Sequence, residues 1–169
     1  NTYEFPCKAL VVMAANPCPC GFLGSESNEC TCTAQEIARY RRRMSGPILD
    51  RIDLQLTMRE VRYEDLKFEK IGKDKVLDSK TMSSMVSDAL RFSKLEGRDE
   101  KCGNISDKRI RDACSLGSLE NKFLENAYDR LNLSPRSYIR TLKVARTIAD
   151  IEQERKVSIE HLAEALGYR

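Results

Sequence analysis

Only two stretches of this 169-residue chain have the pattern of a β-strand, and both lie before residue 60. Residues 8–16 contain a continuous apolar run, which is typical of a strand buried on both faces in a parallel sheet. Residues 52–58 alternate apolar and polar side chains, as a strand with one buried face does. Because two strands do not make a stable sheet alone, we expect residues 1–60 to be the truncated part of an α/β layer.

The sequence beyond residue 80 predicts a bundle of helices. Apolar residues recur at helical spacing in five segments, 80–96, 106–115, 118–131, 134–153 and 158–166. Four of these segments have a serine where an N-cap belongs: Ser106, Ser118, Ser134 and Ser158. Residues 61–80 are charged and weakly periodic, which indicates a linker. The predicted fold class is therefore α/β plus all-α, with the helical domain over 81–169.

Composition and charge narrow the class of protein. Apolar residues make up 41% of the chain, so it is not a disordered tail. The net charge of +3 is too weak to indicate a nucleic-acid partner by itself, so any basic surface must be local. No apolar run approaches the ~20 residues that span a bilayer, and no signal-peptide pattern appears. We therefore expect a cytoplasmic protein without a membrane partner.

Helical spacing also predicts which side chains face inward. The single histidine, His161, should lie on the solvent side of the last helix, whose buried face would consist of Ile159, Leu162, Ala163 and Leu166. No other imidazole is available, so we do not expect a Ser-His-Asp or Cys-His hydrolase. In the helix over 80–96, four residues are expected to face the core: Met82, Val86, Ala89 and Phe92.

Four of the seven cysteines form two close pairs, Cys18 with Cys20 and Cys30 with Cys32. Their sulfurs are able to converge on one tetrahedral zinc ion at about 2.3 Å, in a closed structural site. The alternatives are four reduced thiols on an exposed loop, or disulfides formed in air. An odd number of cysteines without secretory features fits a reducing compartment.

A basic helix is predicted directly after the cysteine loop. Thr33 and Glu36 have the spacing of a capping box, in which each side chain satisfies a free backbone N–H of the other. Ile37, Tyr40 and Met44 share one face, which leaves three arginines on the others: Arg39, Arg42 and Arg43. These arginines either form a solvated face or contact nucleic-acid phosphates.

Three polar residues stand where a ligand can bind. Asn16 ends the first apolar run, where open α/β sheets bind ligands; it either contacts a ligand there or only turns the chain before Pro17. Arg51, flanked by two aspartates, is either part of a surface ion pair or a finger that reaches a neighbour's triphosphate. Arg136 falls in the first turn of a helix, where its charge opposes the helix dipole unless an anion binds there.

Several motifs occur in a characteristic order: "AANPCPCG", the two cysteine pairs, "RYRRRMSGPILDRIDL", "SPRSYIRTLKVARTIADIE" and a final "HLAEALGYR". In this order the chain resembles the C-terminal part of the magnesium-chelatase-like AAA+ ATPases of bacteria, of the competence ComM type. The resemblance covers nearly the whole chain. It implies the C-terminal portion of a P-loop core over 1–60, followed by a helical lid over 81–169.

The resemblance also assigns roles to matching positions. Asn16 resembles sensor 1, Arg51 the arginine finger that acts across a subunit interface, and Arg136 the sensor 2 arginine of the lid. Neither a G-x-x-x-x-G-K-[ST] motif nor an acidic Walker B strand occurs in this sequence, so we expect both upstream. The parent protein is then expected to bind ATP and Mg²⁺ and to hydrolyse ATP in a ring, taken as a hexamer, whereas this chain alone is expected to be inactive.

Several function classes stay open. The resemblance implies a DNA-binding motor that promotes branch migration in recombination and natural transformation, and the cysteine loop and basic helix favour this function. The alternatives are a chelatase-type ATPase subunit that drives metal insertion through a protein partner, and a free-standing zinc module that binds nucleic acid. The presence of a P-loop upstream would exclude the last of these.

Overall fold

A computed structural model describes residues 3, 9–44, 46–58, 60–61 and 77–169 of the chain. The chain divides into two compact units, Asn1–Gly46 and Pro47–Arg169. Seven α-helices are present in the described part. They are α1 (Ala34–Arg43), α2 (Gly46–Leu49), α3 (Ser79–Leu95), α4 (Asp107–Cys114), α5 (Ser118–Arg130), α6 (Pro135–Ile151) and α7 (Ile159–Gly167). None of them combines the length and apolar character that a bilayer span requires.

Neither predicted strand forms in the described residues. Residues 9–16 and 52–58 are irregular, and Leu10 and Val12 are 91% and 84% exposed. A strand needs partner strands to satisfy its backbone N–H and C=O groups, and these two segments find none among the described residues. The helical part of the predicted fold class is confirmed, whereas the α/β part is not seen. Residue 8 and most of the predicted linker, residues 62–76, lie outside the described residues.

The core of the second unit surrounds α6. This helix packs against α3, α4 and α7, and α5 packs against α7. Buried apolar side chains from the residues just before α4 to α7 fill the centre: Ile105, Ile110, Cys114, Leu124, Ile139, Leu142, Ala145, Ala149, Val157, Leu162 and Ala165. All five helices predicted beyond residue 80 are therefore present, with bounds within about two residues of those expected.

Local capping explains where α6 begins. The Ser134 hydroxyl accepts a hydrogen bond from the Ser137 N–H at 3.1 Å, and Pro135 occupies the first helical position. The predicted cap at Ser118 is wrong by one position, because Gly117 is the N-cap of α5 and Ser118 is its first residue. Short-range signals of this kind identify a helix start without knowledge of the tertiary fold.

Helix α3 is covered only in its C-terminal half. Ala89 is buried as predicted, but Met82 and Val86 are 46% and 57% exposed, so their predicted inward orientation is wrong. Ser93 is buried instead. The apolar face of α3 therefore extends beyond the part of the helix that other described residues cover.

Arg146 and Asp150 form a buried pair of opposite charges within the second unit. The Arg146 side chain is fully buried, where it pairs with Asp150 at 3.1 Å and donates to the Arg155 carbonyl at 2.8 Å. Arg98 also pairs with Asp150. This cluster fastens the end of α6 to the loop that precedes α7.

His161 is buried, which contradicts its predicted solvent-side position. Its side chain is the third-position partner in the capping box of α7, where Nδ1 accepts from the Ser158 N–H at 3.0 Å. Because a backbone N–H only donates, Nδ1 carries no proton in this arrangement, and Nε2 faces Glu152 Oε2 at 2.9 Å. Both ring nitrogens are satisfied, which makes burial of the imidazole possible.

Candidate functional site

The four paired cysteines converge in the first unit. The Sγ atoms of Cys18 and Cys20 are 3.3 Å apart, and Cys30 Sγ lies 3.7 Å from the first and 3.6 Å from the second. With Cys32 included, all four sulfurs lie within 4.8 Å of one another. A tetrahedral zinc ion with Zn–S bonds of about 2.3 Å requires S···S separations of about 3.8 Å. The sulfurs therefore already have nearly the spacing that a closed four-thiolate site needs.

Glycine turns bring the two cysteine pairs together. Gly21 and Gly24 have φ angles of +86° and +83°, a region that residues with a Cβ rarely adopt. The Gly21 N–H donates to the Cys18 carbonyl at 3.1 Å, so the chain reverses directly after the first pair. The second pair then returns to the same point, and no disulfide forms among the six described cysteines.

The thiols differ strongly in acidity. The backbone N–H of Phe22 is the main cause that lowers the pKa of Cys20 to about 6. A backbone hydrogen bond from Cys20 acts to lower the pKa of Cys32, but burial and the thiols of Cys20 and Cys18 outweigh it and raise that pKa to about 12. Thiols this close resist simultaneous ionisation, which is the repulsion that a bound divalent cation relieves.

The structure contains the predicted capping box of α1 and exposes the predicted arginines of this helix. Thr33 and Glu36 exchange both hydrogen bonds, at 2.8 Å from the Thr33 N–H and 3.3 Å from the Glu36 N–H. Ile37, Tyr40 and Met44 are half-buried, whereas four arginines are exposed: Arg39, Arg41, Arg42 and Arg43. Four neighbouring guanidinium groups on one short helix provide a local basic surface, although the net charge of the chain is small.

Asn16, the predicted sensor 1 residue, is exposed beside the cysteine loop. A Cβ atom added at Gly21 would lie 3.8 Å from the Asn16 Nδ2 atom, so its amide lies against the first turn of that loop. Its predicted role as a sensor stays a prediction.

Arg51 and Arg136, the predicted finger and sensor 2 residues, are both exposed and lie in the second unit. Arg51 follows α2 in a turn closed by its own N–H, which donates to the Ile48 carbonyl at 2.8 Å. Arg136 occupies the first turn of α6, and its side chain makes no hydrogen bond or ion pair to the part of the chain that the structure describes. An exposed cation in the first turn of a helix is suited to an anionic ligand.

Sequence analysis missed the contacts that surround these arginines. Asp50 accepts hydrogen bonds from the hydroxyls of Ser137 at 3.1 Å and Ser134 at 3.4 Å. Arg169 donates to the Ser137 carbonyl at 3.2 Å, and it lies 3.8 Å from Asp50. The only signal in the sequence is the Asp-Arg-Ile-Asp order around Arg51, which does not reveal the distant partners.

Comparison with known protein families identifies the class to which this fold and this site belong. The family profile "Magnesium chelatase, subunit ChlI C-terminal" matches residues 77–169, which form α3 to α7. The profile "Magnesium chelatase, subunit ChlI" matches residues 1–66, which include the cysteine cluster and Arg51. The chain belongs to the magnesium chelatase family, so the resemblance predicted from the motifs is confirmed. The match supports the conclusion that this chain is part of an AAA+-type protein.

Individual relatives cover nearly the whole chain. It is 35% identical over 166 residues to the Competence protein ComM of Haemophilus influenzae, with 98% of this chain and 31% of that protein covered. It is 34% identical over 165 residues to the uncharacterized protein YifB of Escherichia coli, with 98% and 31% covered. An uncharacterized Mycobacterium tuberculosis protein is 30% identical over 165 residues, with 98% and 32% covered. The chain spans about a third of the length of these curated relatives.

Proposed function

We propose that this chain is part of an AAA+ ATPase that forms a hexameric ring and uses ATP and Mg²⁺ to drive branch migration of recombining DNA. The observation that carries the proposal is the pair of exposed arginines, Arg51 and Arg136, on one compact unit of a chain in the magnesium chelatase family. Exposed guanidinium groups are suited to stabilise phosphoryl charge that another part of the ring supplies.

The arginines and Asn16 have distinct roles in this proposal. Arg51 reaches the ATP of a neighbouring subunit and stabilises charge that develops on the transferred phosphoryl group. Arg136 holds the γ-phosphate from the lid, with its guanidinium group in the exposed first turn of α6. Asn16 orients the attacking water as a neutral amide. The P-loop and Walker B residues belong to a part of the protein outside this chain.

The cysteine cluster has a structural role in this proposal. Cys18, Cys20, Cys30 and Cys32 hold one zinc ion, for which their sulfur spacing is suited. A zinc ion bound by four thiolates supplies a cross-link and no open coordination position. It fixes the loop that precedes α1 and so sets the orientation of the basic helix.

The exposed arginines of α1 support DNA as the substrate. Arg39, Arg42 and Arg43 provide phosphate contacts that do not depend on base sequence, as a motor that moves along DNA requires. The similarity to a competence protein over 98% of this chain favours the same function. A chelatase-type subunit is the second candidate, because both family profiles carry the magnesium chelatase description.

The discriminating experiment uses the full-length protein that contains this chain. We expect ATP hydrolysis that branched DNA stimulates, and ATP-dependent branch migration of a four-way junction. Replacing Arg39, Arg42 and Arg43 together by alanine should weaken DNA binding. The slope of the logarithm of the binding constant against the logarithm of the salt concentration should become less steep by about three at most. Arg130→Ala, an exposed arginine on α5, is the matched control. ATP hydrolysis without any response to DNA would favour the chelatase function. The absence of ATP hydrolysis would favour the remaining alternative, a zinc module that binds nucleic acid.

A further inference from the structure

The residues on both sides of Arg51 are attached to the helical bundle. Asp50 is held by the hydroxyls of Ser134 and Ser137 at 3.4 and 3.1 Å. On the other side, Asp53 Oδ1 lies 3.1 Å from Nη1 of Arg140, as an ion pair without hydrogen-bond alignment. We refer to residues 47–58 as the Arg51 segment.

A backbone contact extends this attachment. The Gln55 N–H donates to the Tyr168 carbonyl at 2.7 Å, just beyond the end of α7. The Arg51 segment therefore meets the start of α6 through one aspartate, the middle of α6 through the other, and the end of α7 through its backbone. Three separate contacts fix both the position and the direction of this short segment, which is irregular beyond the end of α2.

The two serines that bind Asp50 also lie on either side of Arg136 in the sequence. Ser134 is the N-cap of α6 and Ser137 is its third residue, so the two hydroxyls that hold Asp50 belong to the turn that carries Arg136. A carboxylate at this end of a helix is favoured by the helix dipole. The two exposed arginines are thus connected through a single carboxylate and one helical turn.

The charges explain why these contacts persist. Burial lowers the pKa of Arg169, Asp50 and Asp53 act against that shift, and the like charge of Arg140 adds to it. The guanidinium groups remain charged at neutral pH. The negative charges of the two aspartates therefore offset the positive charges of two partly buried arginines, Arg140 and Arg169. Their side chains are 19% and 14% exposed.

We propose that Asp50 and Asp53 are positioning residues that hold Arg51 and Arg136 as one unit, so that both cations move together during the ATPase cycle. This inference rests on the proposed ATPase function, and it adds a role for two carboxylates that do not touch nucleotide. Because the carboxylate side chains are 41% and 66% exposed, their main contribution is to the geometry of the Arg51 segment and not to the stability of the bundle.

The test compares kcat and KM for ATP in the full-length protein. The double variant Asp50→Asn/Asp53→Asn should lower kcat at least tenfold, because a small displacement of a group that stabilises the transition state costs up to about 10²-fold in rate. The KM for ATP and the thermal midpoint of unfolding should stay close to those of the unmodified protein. Glu125→Gln, an exposed acid on α5, is the matched control and should leave kcat unchanged.

A charge exchange provides an independent measurement. Asp53→Arg alone places two like charges together and should lower kcat, whereas Asp53→Arg with Arg140→Asp restores the attraction and should recover most of it. Equal activity of the single and exchanged variants would overturn the role of Asp53.

Arg51→Ala in the same assay separates this inference from the proposed function. If Arg51→Ala lowers kcat at least tenfold but Asp50→Asn/Asp53→Asn keeps kcat within twofold, the positioning role is wrong and the ATPase function stands. If Arg51→Ala has no effect, the proposed role of Arg51 fails and the positioning role fails with it. A loss of kcat accompanied by unfolding of the bundle would make the two aspartates structural and would also overturn the inference.

Discussion

Arg51 and Arg136 carry the proposed chemistry, and both are exposed residues in locally well-defined segments. Arg51 lies in a hydrogen-bonded turn, and Arg136 lies in the first turn of a capped helix. Exposure matters because a buried arginine, such as Arg146, directs its terminal guanidinium nitrogens at protein oxygens. Because Arg51 and Arg136 are exposed, an external phosphate can approach both side chains.

Arg51→Ala in the full-length protein should nearly abolish ATP hydrolysis while nucleotide binding stays mostly intact. An arginine finger acts on charge in the transition state, and its loss typically costs 10³–10⁵ in rate. Mixing this variant with one that lacks the Walker lysine should restore part of the activity through mixed interfaces. If mixed rings form, as native mass spectrometry would show, and the mixture remains inactive, Arg51 does not act across the interface.

Arg136→Ala should leave folding intact and lower ATP turnover sharply. Its side chain is exposed, so the change in the free energy of unfolding should stay within ~0.5 kcal/mol, as at ordinary surface sites. Thermal unfolding and steady-state hydrolysis of the same preparations provide both quantities. Unfolding of the helical unit together with normal ATP turnover would show that Arg136 is structural.

At the level of elements, two local clusters fix the ends of segments. The cysteine cluster closes the loop before α1, and the Arg146–Asp150–Arg98 cluster closes the end of α6. The first lies partly at the surface, whereas the second is almost fully buried. Their removal should therefore have different consequences for stability.

Elemental analysis should show about one zinc ion per chain in protein purified without chelator. Cys18→Ser removes the buried ligand and should abolish zinc retention, and chelation of the unmodified protein should lower its thermal stability. Cys102→Ser, whose thiol lies 3.5 Å from Asp150 and outside the cluster, should retain zinc. A metal-free protein with four titratable loop thiols and unchanged stability would exclude this site.

Asp150→Asn should destabilise the helical unit by about 3–5 kcal/mol, because it leaves Arg146 and Arg98 as buried charges without their carboxylate. Asp88→Asn is the matched control, since Asp88 pairs with Arg91 where their side chains are 42% and 70% exposed. The control should change the free energy of unfolding by at most ~1 kcal/mol. Urea denaturation measures both, and equal midpoints would refute the importance of the buried cluster.

Local signals predicted the helices well, because a cap and its helix lie within a few residues of one another. Ser134 and Thr33 identified helix starts for this reason. His161 was placed wrongly because its burial depends on Glu152 and on the Ser158 cap, although the Ser-x-x-His spacing resembles a capping box. The attachment of Asp50 to α6 joins residues more than eighty positions apart, and no periodicity encodes such a contact.

At the scale of the whole molecule, the apolar run at residues 10–13 has no cover in the described residues. Leu10, Val11, Val12 and Met13 are each more than 60% exposed. Apolar side chains in this number are usually buried against another element. We expect the strand predicted over residues 8–16 to form where the rest of a parallel sheet is present.

Hydrogen exchange should test this expectation directly. The amides of residues 9–16 should exchange rapidly in the 169-residue chain and slowly in the full-length protein, because a buried strand protects its backbone N–H groups. The amides of α6 should be protected in both samples and serve as the internal control. Equally rapid exchange of residues 9–16 in both proteins would show that this segment is not a strand.

The fixed end of α6 has a mechanical consequence for the rest of the helix. Ten residues separate Arg136 from the buried Arg146, a distance of about 15 Å at ~1.5 Å per residue. Buried ionic contacts hold α6 near Arg146, so a rigid tilt of the helix about that point would act on Arg136 through this length. A tilt of about 10° around that point moves Arg136 by about 2.6 Å, roughly the length of one hydrogen bond. A slight rotation deep in the bundle is therefore sufficient to make or break a phosphate contact at its surface.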